Sequence, residues 1–208
     1  MTLPVDPHLY FTFLGIMVVL VLTPGPAILF AVATGVQHGR RGVVMATAGM
    51  NAGNVVWFSL GALGLSALAL AYPAAFGVLR WIGVGYILWL AAGKLWSARR
   101  LHRPDAPRRR LGARPFRDGF LVQLSNPKAL LFITAVLPPF IVASRPAAPQ
   151  VLLFAAGSIT LDAVAMLAYG FSGAAFATRM AQPRFAQLFS IVTGALLITA
   201  AVLIVTRH

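Results

Sequence analysis

The chain has 208 residues, 59% of them hydrophobic and 10% charged, with a mean hydropathy of +0.83. A soluble domain carries about 25% charged residues, so this chain lacks the polar surface to cover a water-soluble globule. Its net charge of +13 comes from 17 Lys and Arg against 4 acids, and no cysteine is available for disulfide or thiolate chemistry.

The opening stretch, MTLPVDPHLY, has no Lys or Arg ahead of the first apolar run. That run, from Leu9 to Val36, is too long for a signal peptide, so a retained span is expected. Six apolar segments follow one another, at about 9–36, 42–70, 74–97, 118–143, 149–177 and 185–206. Each is long enough for a hydrocarbon core of about 30 Å, which takes about 20 helical residues. The first contains Leu22-Thr23-Pro24-Gly25-Pro26-Ala27-Ile28-Leu29-Phe30, two prolines and a glycine in deeply apolar sequence. The second contains Gly49-Met50-Asn51-Ala52-Gly53, a small-residue spacing suited to close helix packing, followed by Asn54. After the third comes an Arg/Pro-rich link, about 98–117, expected as a flexible loop. The fourth is interrupted by Ser125-Asn126-Pro127-Lys128, so five spans plus a re-entrant piece is the competing count. The fifth carries Asp162 among Ile159-Thr160-Leu161 and Ala163-Val164-Ala165. Trp57, Trp81, Trp89, Trp96, Tyr10, Tyr72 and Tyr86 partly mark interfaces, and Tyr169 could line a cavity.

Basic residues set the orientation. Arg40 and Arg41 lie in the first connection, and Arg179 and Arg184 in the fifth. Lys94, Arg99, Arg100, Arg103, Arg108, Arg109, Arg110, Arg114 and Arg117 lie at or in the third. The second and fourth have only Arg80 and Arg145 nearby. Odd connections therefore face the anionic cytoplasmic leaflet, and six spans put both termini outside. This placement argues for a lipid bilayer as the partner of the positive charge, and against nucleic acid.

The two halves resemble each other. LTPGPAILF (22–30) lies over LSNPKALLF (124–132), Ala48-Gly49 over Ala156-Gly157, and Asn54 over Asp162. In the third pair, Phe76, Leu79, Ile82 and Gly85 lie over Phe185, Leu188, Ile191 and Gly194. Three spans per half is an odd number, so the second half must enter from the opposite side. The expected fold is all-α and integral to the membrane. It is a single transmembrane domain over 1–208, with six transmembrane helices as two inverted three-helix repeats. Repeat one covers about 9–97 and repeat two about 118–206, with helices one and four broken. This architecture recurs in secondary transporters.

Proline removes a donor and frees a carbonyl one turn earlier, which lipid tolerates only against protein or a wet cavity. The breaks at Pro24, Gly25, Pro26 and at Asn126, Pro127 thus suit a ligand site near the midplane; a kink for packing is the alternative. Lys128 and Asp162 are the charges deepest in apolar sequence, and such groups are functional candidates by default. Asp162 could load and release a proton; its repeat partner Asn54 could hydrogen-bond a substrate. The alternatives are a Lys128 that reaches the headgroups and an Asp162 that is a packing pair.

Enzyme chemistry has little support. The histidines, at 8, 38, 102 and 208, lie outside span centres. No HExxH, P-loop or GxSxG is present, glutamate is absent, and no metal ligand set or cofactor motif is apparent.

The chain resembles the LysE/RhtB family of amino-acid exporters over nearly its whole length. TPGP at 23–26, HGRRG at 38–42, the Arg80–Leu88 stretch RWIGVGYIL, Phe116 with Gly119, Asn126-Pro127-Lys128-Ala129 and Leu137-Pro138-Pro139-Phe140 carry the resemblance. It implies export of amino acids or close derivatives across the inner membrane, driven by protons, with Pro24, Gly25, Pro26, Asn126, Pro127 and Lys128 at the functional core. The chain departs from many members at Ala27, where they carry Asn, and at Pro138-Pro139-Phe140, where they read PQF. Ala27 favours a neutral or less polar substrate, because a dicationic one would want more than one acidic partner and Asp162 is the only acid expected inside the core; among the substrates the resemblance implies, a neutral amino acid, homoserine or homoserine lactone is therefore expected. Small helical transporters often pair, so a homodimer is open to this chain. A passive channel and a membrane assembly protein are the competing functions.

Overall fold

The computed structural model describes residues 4–23, 25–71, 114–142 and 144–206, together with 78, 81, 85, 88, 89, 91–93, 95 and 96. Pro24, most of the third segment, including the RWIGVGYIL positions other than Trp81, Gly85 and Leu88, and the loop up to 113 lie outside the described residues. All regular structure among the described residues is helical.

Helix α1, Pro7–Leu22, starts where Asp6 and Pro7 tell it to. The Asp6 carboxylate accepts from the amides of His8 (2.7 Å) and Leu9 (3.3 Å), and proline stands in the first turn, where its missing N–H costs nothing. The helix stops at Thr23, as the prolines require. Helix α2, Pro26–Ala71, is two arms that meet at Gly39, with φ 61° and ψ −165°. Only glycine takes that conformation without strain. A Cβ on Gly42 would run into the His38 Cβ, and Gly170 lies against both Gly35 and Val43, so the arms fold beside one another. The HGRRG turn is thus a tight helical corner.

The fourth segment is broken as its sequence suggests. Helix α3, Pro115–Leu124, ends at Ser125, and helix α4, Pro127–Leu131, restarts from Asn126, whose side chain caps the Lys128 amide at 3.1 Å. A π-turn, Phe132–Val136, and a 3₁₀ turn, Pro138–Phe140, follow. The two parts of this segment bend by 53°. Helix α5 is Ala147–Phe171, α6 is Gly173–Met180 and α7 is Pro183–Thr206. The fifth apolar segment therefore divides at Ser172 rather than running on to 177. Gly173 there packs against the Val32 carbonyl of the first α2 arm.

Among the described residues two helices are long and apolar enough to cross a membrane, Pro26–Gly64 and Ala147–Phe171, and the bent pair makes a third if it is one span. The 39 residues of Pro26–Gly64 would measure about 58 Å at 1.5 Å per residue, nearly twice the hydrocarbon thickness. The Gly39 corner resolves this, since the second arm alone reaches across. Leu63, Leu152 and Val164 are 74, 69 and 62% exposed, as side chains facing lipid would be.

Packing sets the helix directions. A Cβ on Gly49 would strike the Phe116 carbonyl and one on Gly119 the Ala46 carbonyl, while Gly53 lies against Gln123. From Gly49 against Phe116 to Gly53 against Phe120 and Gln123 both chains advance, so the second arm of α2 and α3 run parallel at nearly backbone contact. Gly157 of α5 lies against Tyr10 and Leu14 of α1, and Tyr169 meets Leu22, so α1 and α5 also run parallel. Val43 meets Gly170 and Asn54 meets Asp162, which makes α2 and α5 antiparallel. Between these pairs, Phe13 packs tilted or edge-on within 5.8 Å of the Phe132, Phe140 and Phe154 rings. That aromatic core holds the broken fourth segment against α1 and α5.

Candidate functional site

The breaks in segments one and four face each other. Pro24 has no N–H to give the Leu20 carbonyl, and Pro26 has none for Leu22. Both carbonyls find side-chain donors from elsewhere in the chain. Lys128 Nζ donates to the carbonyl of Leu20 and to that of Thr23 at 3.2 Å. Tyr169 donates its hydroxyl to the Leu22 carbonyl at 3.2 Å. A cation at the carbonyl end of α1 also complements the helix dipole. Lys128 therefore binds the opposite break and does not reach for the headgroups.

A second set of polar groups runs from the α4 cap to Asp162. Asn126 donates to Gln123 Oε1 at 3.4 Å, Gln123 donates to Asn54 Oδ1, and Asn54 donates to Asp162 Oδ2 at 3.2 Å and to Asn51 at 3.1 Å. The chain's direction is fixed at both ends. The Lys128 amide can only donate to Asn126, and an ionised carboxylate can only accept. Each amide between them is oriented by its neighbours. All four side chains are buried, where an unpaired polar group would be costly. Trp57 Nε1 adds a bond to the Gln123 carbonyl at 3.2 Å.

These groups line one side of a cavity of about 60 Å³. One water needs roughly 10–15 Å³ on the same measure, so there is room for a few waters or a small solute. Lys128 and Asp162 are the charged residues of its wall, with Thr23, Gly25, Asn54, Gln123, Asn126 and Ser158 beside them. Met17, Val21, Ile28, Phe58, Phe132 and Met166 supply an apolar face. A cation, an acid and an apolar wall in one small space suit a zwitterion with a modest side chain.

Of the residues singled out from sequence, Gly25, Asn54, Asn126, Lys128 and Asp162 line this cavity. Pro26 and Pro127 start the helices on either side, and Pro24 is outside the described residues. Gln123, which joins Asn54 to Asn126, carried no signal in the sequence: a glutamine near the start of a span reads as an ordinary interfacial residue. Tyr169 acts through its hydroxyl on the break. Trp57 is not an interface marker; it lines the cavity and bonds to α3. Trp81, Trp89 and Trp96 are exposed, as interface residues are. No group of His, Cys, Asp and Glu able to hold a metal occurs among the described residues.

Comparison with known proteins agrees with this geometry. The profile of the LysE type translocators matches residues 18–208. The chain is 30% identical over 199 residues to a homoserine/homoserine lactone efflux protein of Salmonella typhimurium (strain LT2), covering 92% of this chain and 96% of that one. It is 29% identical over 195 residues to a leucine efflux protein of Enterobacter sp. (strain 638), covering 91% of each. An uncharacterized membrane protein of Vibrio cholerae is 27% identical over 201 residues, 97% of this chain and 98% of that one. No solved structure matches. A family match over residues 18–208, apolar helices of spanning length and two broken helices around a polar cavity lead to one conclusion: the chain belongs to the LysE type translocators and is a membrane transporter, not an enzyme.

Proposed function

We propose that the chain is a secondary active exporter of a neutral amino acid or derivative, with homoserine or its lactone favoured, across the bacterial inner membrane and driven by protons. The observation that carries this is the cavity between the breaks, with Lys128 and Asp162 on its wall. The substrate carboxylate would take Lys128 and the amine Asp162, while the apolar face takes the side chain. Proton entry from outside would neutralise Asp162 and weaken its hold on the amine. The efflux relatives support the substrate class, and their different substrates show that the family pattern alone does not choose between them.

The packing supports six spans in two inverted repeats. The second arm of α2 and α3 run parallel, so the chain joining them has to return across the same thickness, which one further span achieves. The offset of 102 that lays LTPGPAILF over LSNPKALLF also lays Leu14 over Phe116. Leu14 packs on Gly157, and Phe116 packs on Gly157's repeat partner, Gly49. The bond between Asn54 and Asp162 likewise joins repeat partners, as contacts near a two-fold axis do. With the basic connections inside, both termini lie outside.

The test uses purified protein in liposomes with an imposed pH gradient, preloaded with labelled neutral amino acids and homoserine lactone. Saturable efflux that disappears with the gradient is expected. Non-saturating flux indifferent to the gradient would make it a channel. No flux from folded, inserted protein would favour an assembly role.

A further inference from the structure

Almost every polar side chain on the cavity wall is already engaged. Thr23 donates to the Val19 carbonyl. Asn54, Gln123 and Asn126 spend their groups on one another and on Asp162, and Lys128 is on the α1 carbonyls. Ser158 is the exception. It lines the cavity, it is 1% exposed, and its hydroxyl is buried without a partner. A helical serine ordinarily relieves this by bonding the carbonyl one turn back, as Thr160 and Ser172 do on the same helix and at its end. Ser158 does not, and burying an unpaired hydroxyl is unfavourable.

We propose that Ser158 is a specificity-determining residue, whose hydroxyl binds an oxygen on the side chain of a small amino acid held by Asp162. The proposal rests on the exporter assignment above. Ser158 and Asp162 are four residues apart on α5, so they share a face and lie about 6 Å apart along the axis. In a γ-oxygenated amino acid, four bonds of about 1.5 Å in a zigzag separate amine nitrogen and oxygen by roughly 5 Å. Such a molecule reaches both groups at once, and the serine hydroxyl can donate to an alcohol or a lactone oxygen. A substrate of the same skeleton without the oxygen leaves Ser158 unpaired, and discrimination against it follows.

The matched probes are homoserine and 2-aminobutyrate, which differ only in the γ-oxygen. Gradient-driven efflux of each is measured for the wild type, Ser158→Ala and Ser158→Thr in proteoliposomes. The wild type should prefer homoserine in kcat/KM, Ser158→Ala should reduce that preference about tenfold or more, and Ser158→Thr should keep most of it. Homoserine should also raise the thermal midpoint of the wild type and do so less for Ser158→Ala. An unchanged ratio in Ser158→Ala overturns the proposal, whether both fluxes fall together or neither moves. Wild-type efflux of other amino acids but not homoserine overturns it and leaves the exporter assignment standing. No gradient-driven efflux of any amino acid overturns both.

Discussion

Replacing Lys128 by Met keeps the unbranched stem of the side chain, lacks its terminal ammonium, and so removes the only cation on the described cavity wall. Two consequences can be separated. For stability, the Leu20 carbonyl still accepts from the Thr23 amide at 3.1 Å, so removal of the ammonium deprives it of only one of two donors. The Thr23 carbonyl loses its bond to Lys128, at a cost of about 1–3 kcal/mol. Relief from holding an ammonium away from water offsets part of this, and a fall in thermal midpoint of a few degrees is expected. For function, a charge-assisted bond to the substrate carboxylate contributes about 1.5–3 kcal/mol, so KM for homoserine should rise roughly 10- to 100-fold. Homoserine lactone has no free carboxylate and should shift by less than about threefold on the same basis. Lys128→Arg should not rescue, because a planar fork cannot replace a point cation between two carbonyls of one helix end. The assay is saturable efflux from proteoliposomes with both compounds inside. If homoserine and lactone lose affinity equally, Lys128 only braces the break, and the carboxylate assignment is wrong.

Asp162→Asn keeps an acceptor for Asn54 but carries no titratable proton. One unit of pH gradient supplies about 1.36 kcal/mol per proton, enough for a tenfold substrate gradient with the voltage clamped. The wild type should approach that ratio and the variant should only equilibrate; tenfold accumulation by the variant would remove Asp162 from the coupling step. Tyr169→Phe deletes the bond to the Leu22 carbonyl while keeping the ring contact with Phe176 at 4.8 Å. About 0.5–1.5 kcal/mol should be lost, seen as a midpoint lower by about 1–6 °C, and an unchanged midpoint would mean that the carbonyl needs no donor. Gly49→Ala puts a methyl group into the Phe116 carbonyl and should cost about 1–3 kcal/mol by overpacking. Gly64→Ala, which meets nothing within 4 Å, should be neutral or stabilising, and equal effects of the two in thermal unfolding would show that α2 and α3 are not in close contact.

Much of this protein is local in origin and so legible in its sequence. Runs of apolar residues longer than the bilayer is thick demand helices whatever their neighbours do. Proline at 24, 26 and 127 breaks a helix by its own chemistry, and Asn126 caps the next one within two residues. The glycines at 49 and 53 announced close packing, and the charges at 128 and 162 stood out because apolar sequence cannot ignore them. The division of the fifth segment at Ser172 was not legible, since GFSGAAF is apolar enough to continue a span. Nor was the role of Gln123, whose importance lies in what stands across from it. Asn54 and Asp162 are 108 residues apart, as are Leu20 and Lys128, and no local preference encodes such pairs. The sequence by itself determined where the backbone would have to break and which side chains could not be left in lipid. Only the tertiary structure decided that the first break is completed from elsewhere in the chain, with the Lys128 ammonium at the second break and the Tyr169 phenol on α5 meeting the carbonyls that two prolines set free. The reason is that a hydrogen bond missing from one helix can be made good only by whatever the fold packs against it.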